Sequence, residues 1–323
     1  MQRIDGYHMM VISQYFESIK DFVALEFVCK KYNNNMSKFH FNPIRLTSKT
    51  INYFPSIETL NIWTEDDETF GNDFMLLFND NTYQTDRQKC MKVNKKDFYK
   101  IVVWYQVDFD TFHKVAKLEN AIFEFKDICY STSDVVNFGT QIPKLVTSLM
   151  RSCYENCNTI EQIDIPNTVT SIGHFCFSMC LSLSEITIPT RVISMGECVF
   201  LGCAKLKSVT LPCYMTTLNP HTFGFCCGLT CVNLPPGLVS IGDNCFEFCY
   251  SLQDIVIPDN VTTLGKFCFS GCKALHSVLL PKKMREVGSG CFRECKALAQ
   301  IIIPENVTMI GSNCFPPNTN LVQ

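Results

Sequence analysis

No stretch of this chain approaches the roughly 18 consecutive apolar residues that a membrane-crossing helix needs, which excludes the simplest transmembrane class. A basic excess is missing too: 28 Lys and Arg stand against 31 Asp and Glu, for a formal net charge of -3. That balance offers no broad attraction to nucleic acid or to an anionic membrane surface. The opening MQRIDGYHMMVISQYF has neither a long apolar core nor a small-residue cleavage site, so no secretory signal is expected. The final Asn320-Leu321-Val322-Gln323 carries no prenylation cysteine. The expected location is therefore the cytoplasm or the nucleus. The six histidines (His8, His40, His113, His174, His221, His276) have no metal-ligand spacing. A glycine-rich phosphate loop ending in Gly-Lys-Ser/Thr and a Gly-x-Ser-x-Gly elbow are both absent. No cofactor, metal or catalytic residue is expected.

What the chain does have is a clock. Seven phenylalanines fall at one constant interval: Phe177, Phe200, Phe223, Phe246, Phe269, Phe292 and Phe315. Prolines keep the same interval from Pro143 to Pro304, and cysteines keep it from Cys157 to Cys295. A fixed period of this length is the signature of a solenoid, in which each unit buries its apolar face only against its neighbours. Within one unit, Leu183, Ile186 and Ile188 mark a short strand that Pro189 ends, and Val192 and Met195 mark a second extended stretch. Gly173, Gly196, Gly242, Gly265, Gly288 and Gly311 share one position, read as a left-handed corner. Asn219 replaces glycine there once, and asparagine tolerates that conformation well.

Twenty cysteines would suggest a disulfide scaffold in a secreted chain. Most are locked to the repeat, where a free thiol serves as a small buried hydrophobe. Core thiols are the expectation, with structural disulfides and metal ligation as the competing readings. Pairs such as Cys176/Cys180 and Cys268/Cys272 tempt a zinc reading, but a ladder spreads its sulfurs along an axis rather than about a point.

The pattern Leu-x-x-Ile-x-Ile-Pro-x-x-Val-x-x-Ile-Gly-x-x-x-Phe-x-x-Cys over residues 143–315 resembles the BspA-like, or treponemal, class of leucine-rich repeats. Cysteine stands where that family usually has alanine, at Cys176, Cys245, Cys268, Cys291 and Cys314, which is similar to intracellular paralogues of parasitic protists. The resemblance implies a mostly β repeat solenoid of short strands and turns, about seven repeats long, that binds protein and is not an enzyme. Bacterial members include surface adhesins, which is a competing reading.

Before the array, the sequence divides into 1–45, a small helical cap, and 46–142, degenerate repeats with an insertion; after it, 316–323 is a tail. Ile57–Ile62 and Leu118–Phe123 are weak echoes of the unit, Tyr99–Val107 is a strand candidate, and Asn79–Arg87 is polar and loop-like. Ile12, Tyr15, Phe16, Phe22, Leu25 and Val28 recur at helical steps, with Asp21 read as a cap of the second helix. Residues 12–32 resemble the later part of an F-box, which implies docking of those six residues on a Skp-type adaptor and a second reading, substrate adaptor of a ubiquitin ligase.

One position of the strand faces outward. It reads Asp164, Thr187, Thr210, Asn233, Val256, Leu279 and Ile302, polar at first and aliphatic in the last three repeats. Asp254, Ser277 and Gln300 stand two residues earlier and give the aliphatic stripe a polar border. An exposed apolar stripe with a polar rim suits a protein partner on the concave face.

Overall fold

A computed structural model describes residues 4–77, 95–118 and 122–322. The polar segment Asn79–Arg87 and the middle of the echo over Leu118–Phe123 lie outside the described residues. The chain divides into two compact units, Met1–Asp127 and Ile128–Gln323.

The first unit begins with two helices, α1 (Gly6–Ser13) and α2 (Ile19–Val28). Asp5 starts α1, its carboxylate accepting from the backbone N–H of Tyr7 and His8 at 3.0 and 2.9 Å. Ser18, not Asp21, is the N-cap of α2. Asp21 is the third helical residue and accepts from both the N–H and Oγ of Ser18, so it caps from inside the helix. Below the helices Phe22, Phe39 and Phe54 meet edge to face, with centroids 5.3 to 5.9 Å apart. Strand β1 (Thr59–Ile62) runs parallel to β2 (Lys100–Asp108), placing Leu60 against Ile101 and Ile62 against Val103. These four residues are buried, as their spacing requires of an inward face. Helix α3 (Phe109–Ala116) follows β2 directly. Leu118 closes a turn onto Val115, and the next strand, β3, begins at Phe123 and runs to Tyr130.

The second unit is a solenoid of parallel strands, and one turn of it is one repeat of the sequence. The hydroxyls of Ser184 and Thr230 show this directly, each donating to a carbonyl 23 residues earlier, of Glu161 and Lys207. From Ser171 onward each turn carries two strand segments, one of three residues and one of two, whereas among the described residues the turn before it has only the two-residue Ser148–Leu149. The three-residue ladder has one sheet of Glu185–Thr187, Ser208–Thr210 and Cys231–Asn233, and a second of Asp254–Val256, Ser277–Leu279, Gln300–Ile302 and Asn320–Val322. The two-residue ladder includes Ser171–Ile172, Thr217–Leu218 and Glu286–Val287. Leu183, Ile186, Ile188, Val192 and Met195 are all buried, so the inward period read from one repeat holds. Pro189 closes the strand region and opens a turn, in which the Val192 N–H donates to its carbonyl at 3.0 Å.

The phenylalanine column is the spine. From Phe177 to Phe315 the ring centroids are 5.2 to 5.8 Å apart and no pair is tilted by more than 17°. Tyr154 and Tyr130 continue it, at 5.4 and 6.4 Å. Both hydroxyls find carbonyls, Tyr154 to Thr140 and Tyr130 to Gly139, which is what burying a phenol demands.

The recurring glycine is not a left-handed corner. None of Gly173, Gly196, Gly242, Gly265, Gly288 and Gly311 is among the positive-φ residues, and neither is Asn219. The cause is close approach: a Cβ on Gly265 would lie 2.4 Å from the Asp243 backbone nitrogen, and one on Gly196 the same distance from that of His174. Left-handed backbone lies elsewhere, in two columns that advance once per turn, through Phe175, Cys198, His221, Asn244 and Phe267, and through Met179, Gly202, Phe225, Phe248 and Gly271. Glycine enters those columns where a neighbour leans over it. The Met179 sulfur covers Gly202 and the Phe248 ring covers Gly271, each 2.4 Å from where a Cβ would stand.

Candidate functional site

The thiols are core. Among the described residues no two cysteines form a disulfide, and most of the thiols are buried. Six of them do one repeated job. Cys180, Cys203, Cys226, Cys249, Cys272 and Cys295 each donate from Sγ to the carbonyl 26 residues earlier, at 3.0 to 3.2 Å. Those acceptors belong to Tyr154 and to the phenylalanines of the spine, so one thiol both fills volume and satisfies a buried carbonyl. Burial pushes the thiols of Cys203, Cys245, Cys295 and Cys314 up to about 12. Such groups stay protonated at neutral pH and are poor nucleophiles and poor ligands. Among the described residues no group of three or more His, Cys, Asp or Glu is arranged to hold a metal ion.

The outward face of the three-residue ladder has a different character. In every such strand from Glu185–Thr187 to Gln300–Ile302 the middle residue is buried, while Val256, Leu279 and Ile302 at the third position are 72%, 62% and 51% exposed. Pairing places Val256 beside Leu279 and Leu279 beside Ile302. Adjacent parallel strands lie about 4.8 Å apart, so the three side chains form one continuous apolar stripe. Asp254, Ser277 and Gln300 are exposed along its border, and His276 Nε2 lies 3.4 Å from the Asp254 carboxylate. The polar part of the face carries Thr187, Thr210 and Asn233, which pair in the other sheet of this ladder.

The stripe is longer than its periodicity. Asn320–Val322 adds a strand that sets Val322 beside Ile302, with the Asn320 N–H donating to the Ala299 carbonyl at 2.8 Å. The expected C-terminal tail is thus part of the ladder. Its step from the preceding strand is shorter than the repeat, which hides it from a fixed period; the adjacent aliphatics Leu321 and Val322 are the only local signal, and they are too short a run to read as a strand from sequence.

The helical segment presents a mixed picture. Phe22 and Leu25 are buried in the first unit's core, and Phe16 packs against it. Those three hold the helices in place. Ile12, Tyr15 and Val28 are exposed, Tyr15 by 84%, and Phe27, which the helical periodicity passes over, is 86% exposed. Lys30 and Lys31 lie in a short 3-10 turn after α2, and Lys31 Nζ donates to the Ile4 carbonyl at 2.7 Å. Among the described residues no helix is long and apolar enough to cross a membrane.

Comparison with known proteins bears on the solenoid. The model of the BspA type leucine rich repeat region matches six copies, over residues 124–250 and 216–323. The F-box-like stretch lies outside that match. No curated protein matches the chain. Among solved structures, a leucine-rich repeat protein from Bacteroides ovatus is 24% identical with a TM-score of 0.48, over 61% of this chain and 53% of that one. The T. pallidum leucine rich repeat protein is 24% identical with a TM-score of 0.34, over 56% and 70%. A leucine-rich repeat protein from Eubacterium ventriosum is 16% identical with a TM-score of 0.38, over 93% and 87%. The chain thus spans about half the length of the Bacteroides ovatus protein. With its repeat matched over more than half its length, the chain belongs to the BspA type of leucine-rich repeat proteins.

Proposed function

We propose that this protein is a non-enzymatic interaction scaffold, which binds a protein partner across the outward, concave face of its three-residue ladder. The observation that carries the reading is the stripe of Val256, Leu279 and Ile302, three stacked aliphatics exposed where the preceding strands hold Thr187, Thr210 and Asn233. Exposed apolar surface with the polar border of Asp254, Ser277 and Gln300 is what a protein contact uses. The test is Val256→Asp/Leu279→Asp/Ile302→Asp, scored by recovery of the protein's native partners in affinity capture. Loss of the partners with an unchanged thermal melt supports the proposal. Retained partners with an intact fold sink it.

A reducing compartment, cytoplasm or nucleus, suits this scaffold, because its thiols act as hydrogen-bond donors and a disulfide would remove them. Counting free thiols in freshly isolated protein tests that placement, and widespread oxidation would favour the surface-adhesin reading instead. Docking of the helical segment on a Skp-type adaptor is a second reading, favoured by the exposure of Ile12, Tyr15 and Val28. Deleting residues 1–45 would remove Phe22 and Phe39 from the first unit's core, so point changes are the sound probe. Tyr15→Ala/Val28→Asp should abolish adaptor recovery and spare stability if this reading holds; unchanged recovery would dismiss it.

A further inference from the structure

The first unit carries a groove that neither the ladder nor the repeat explains. It runs between α2 and the chain over residues 49–53, with a volume of about 480 Å³. Ile19 and Val23 are half-buried: their inner sides pack on the cluster around Phe22, and their outer sides, with Ala24, form one wall. Tyr53, half exposed, forms the other. The lining is therefore apolar except for Thr50 and two charges, Lys20 on the helix bank and Lys49 on the opposite bank. Both lysines are exposed, and among the described residues neither makes an ion pair. No acidic residue lines the groove.

Past Ile19 and Thr50 the groove opens into a second hollow of about 420 Å³ that reaches Trp63. Its charges balance differently. Arg45 is held by Asp67 at 3.1 Å, and Glu17 also lines this hollow. Apolar lining thus continues from Ile19 to Phe16, Ile44 and Trp63 among the polar residues of the second hollow, and unpaired positive charge is confined to the end flanked by Lys20 and Lys49.

That arrangement discriminates among ligands. A free phosphate or nucleic acid would have to sit on apolar side chains and would meet only two cations, too few for a backbone-tracking surface. A membrane-surface patch needs several more basic residues on one face. A peptide meets both requirements, because its apolar side chains fill the floor and a carboxylate reaches each lysine. We propose that this groove binds a short segment of a partner protein, with two or three apolar residues followed by Asp or Glu. The acidic end lies between Lys20 and Lys49, and the apolar residues run toward Trp63. This site lies wholly in the first unit and does not depend on the ladder reading.

The test is selection of a displayed library of random 12-residue peptides on the full chain. Enriched peptides are then synthesised and titrated by fluorescence polarisation. The expected result is enrichment of apolar peptides with acidic residues at one end. Their binding should weaken at least about tenfold in Lys20→Glu/Lys49→Glu, since each attraction becomes a repulsion. Reselection on that double variant should return peptides with Lys or Arg in place of the acids. Ala24→Arg, which fills the groove from an exposed position, should remove binding of both sets. The proposal is overturned if no peptide enriches, if enriched peptides show no acidic preference, or if they bind the double variant and Ala24→Arg as tightly as the parent. Thermal melts of both variants, matched to the parent, ensure that lost binding is lost contact.

Discussion

Phe246 offers the sharpest test of the solenoid's spine. It is fully buried, with Phe223 and Phe269 stacked on its two faces at 5.2 Å each. Replacing it by alanine removes the ring from a site closed on both sides, where the neighbouring turns cannot collapse without breaking their own ladder bonds. Phe→Ala in such a site costs about 3–5 kcal/mol, and Phe246→Ala should lie in the upper half of that range because two stacking contacts vanish. Phe315 is the contrast. It stacks on Phe292 alone, at 5.8 Å, and is half-buried, so Phe315→Ala should cost roughly half as much or less. Phe246→Leu keeps most of the volume but loses both stacking contacts, so it should cost about 1–3 kcal/mol, less than Phe246→Ala. Urea denaturation of the full chain, followed at the repeat's far-ultraviolet dichroism, measures all three; the shift of midpoint at constant slope reports the change. Equal costs for Phe246→Ala and Phe315→Ala would refute the reasoning, since it makes burial on both faces the source of the difference.

Two further outcomes follow from the same packing. Gly265→Ala should destabilise by about 1–3 kcal/mol, because the new methyl meets backbone of the preceding turn and not a flexible side chain; a neutral result in the same urea assay would return the position to a conformational role. The buried thiols set a pH limit. Cys203, Cys245, Cys295 and Cys314 are held near 12 in the fold, against about 8.5 in an unfolded chain, so the unfolded state releases protons first as pH rises. Their stabilising contribution is complete below about pH 8.5 and falls by about 1.4 kcal/mol per pH unit per thiol above it. Thermal melts between pH 7 and pH 10 should show a steep loss of stability that Cys245→Ala makes shallower, and an identical slope in that variant would exclude the thiol as the cause.

Much of the repeat was legible in the residues because a solenoid repeats its environment. Each Phe, Cys and Ile meets the same neighbours as its counterpart one turn away, so burial prints directly onto the sequence as a period. The outward placement of Val256, Leu279 and Ile302 followed from the same alternation, since neighbouring strand residues face opposite sides. Where the environment changed, the print blurred. Tyr154 and Tyr130 belong to the spine, but their hydroxyls bond carbonyls of Thr140 and Gly139 that exist only at that end of the unit. Val322 joined the stripe across a shortened step, which no fixed interval anticipates.

The sequence by itself determined the unit length, the inward residues and the family. Tertiary structure alone decided why the glycine recurs: a backbone turn above leaves no room for a Cβ, and that distance runs between residues more than twenty positions apart. It also decided what the thiols do, because a cysteine and the carbonyl it bonds are separated by 26 residues and brought together only by the winding of the chain. Composition carries volume and polarity, and those specify which side chains go inside. Which atoms then touch depends on the rise and register of successive turns, and those exist only once the turns are stacked.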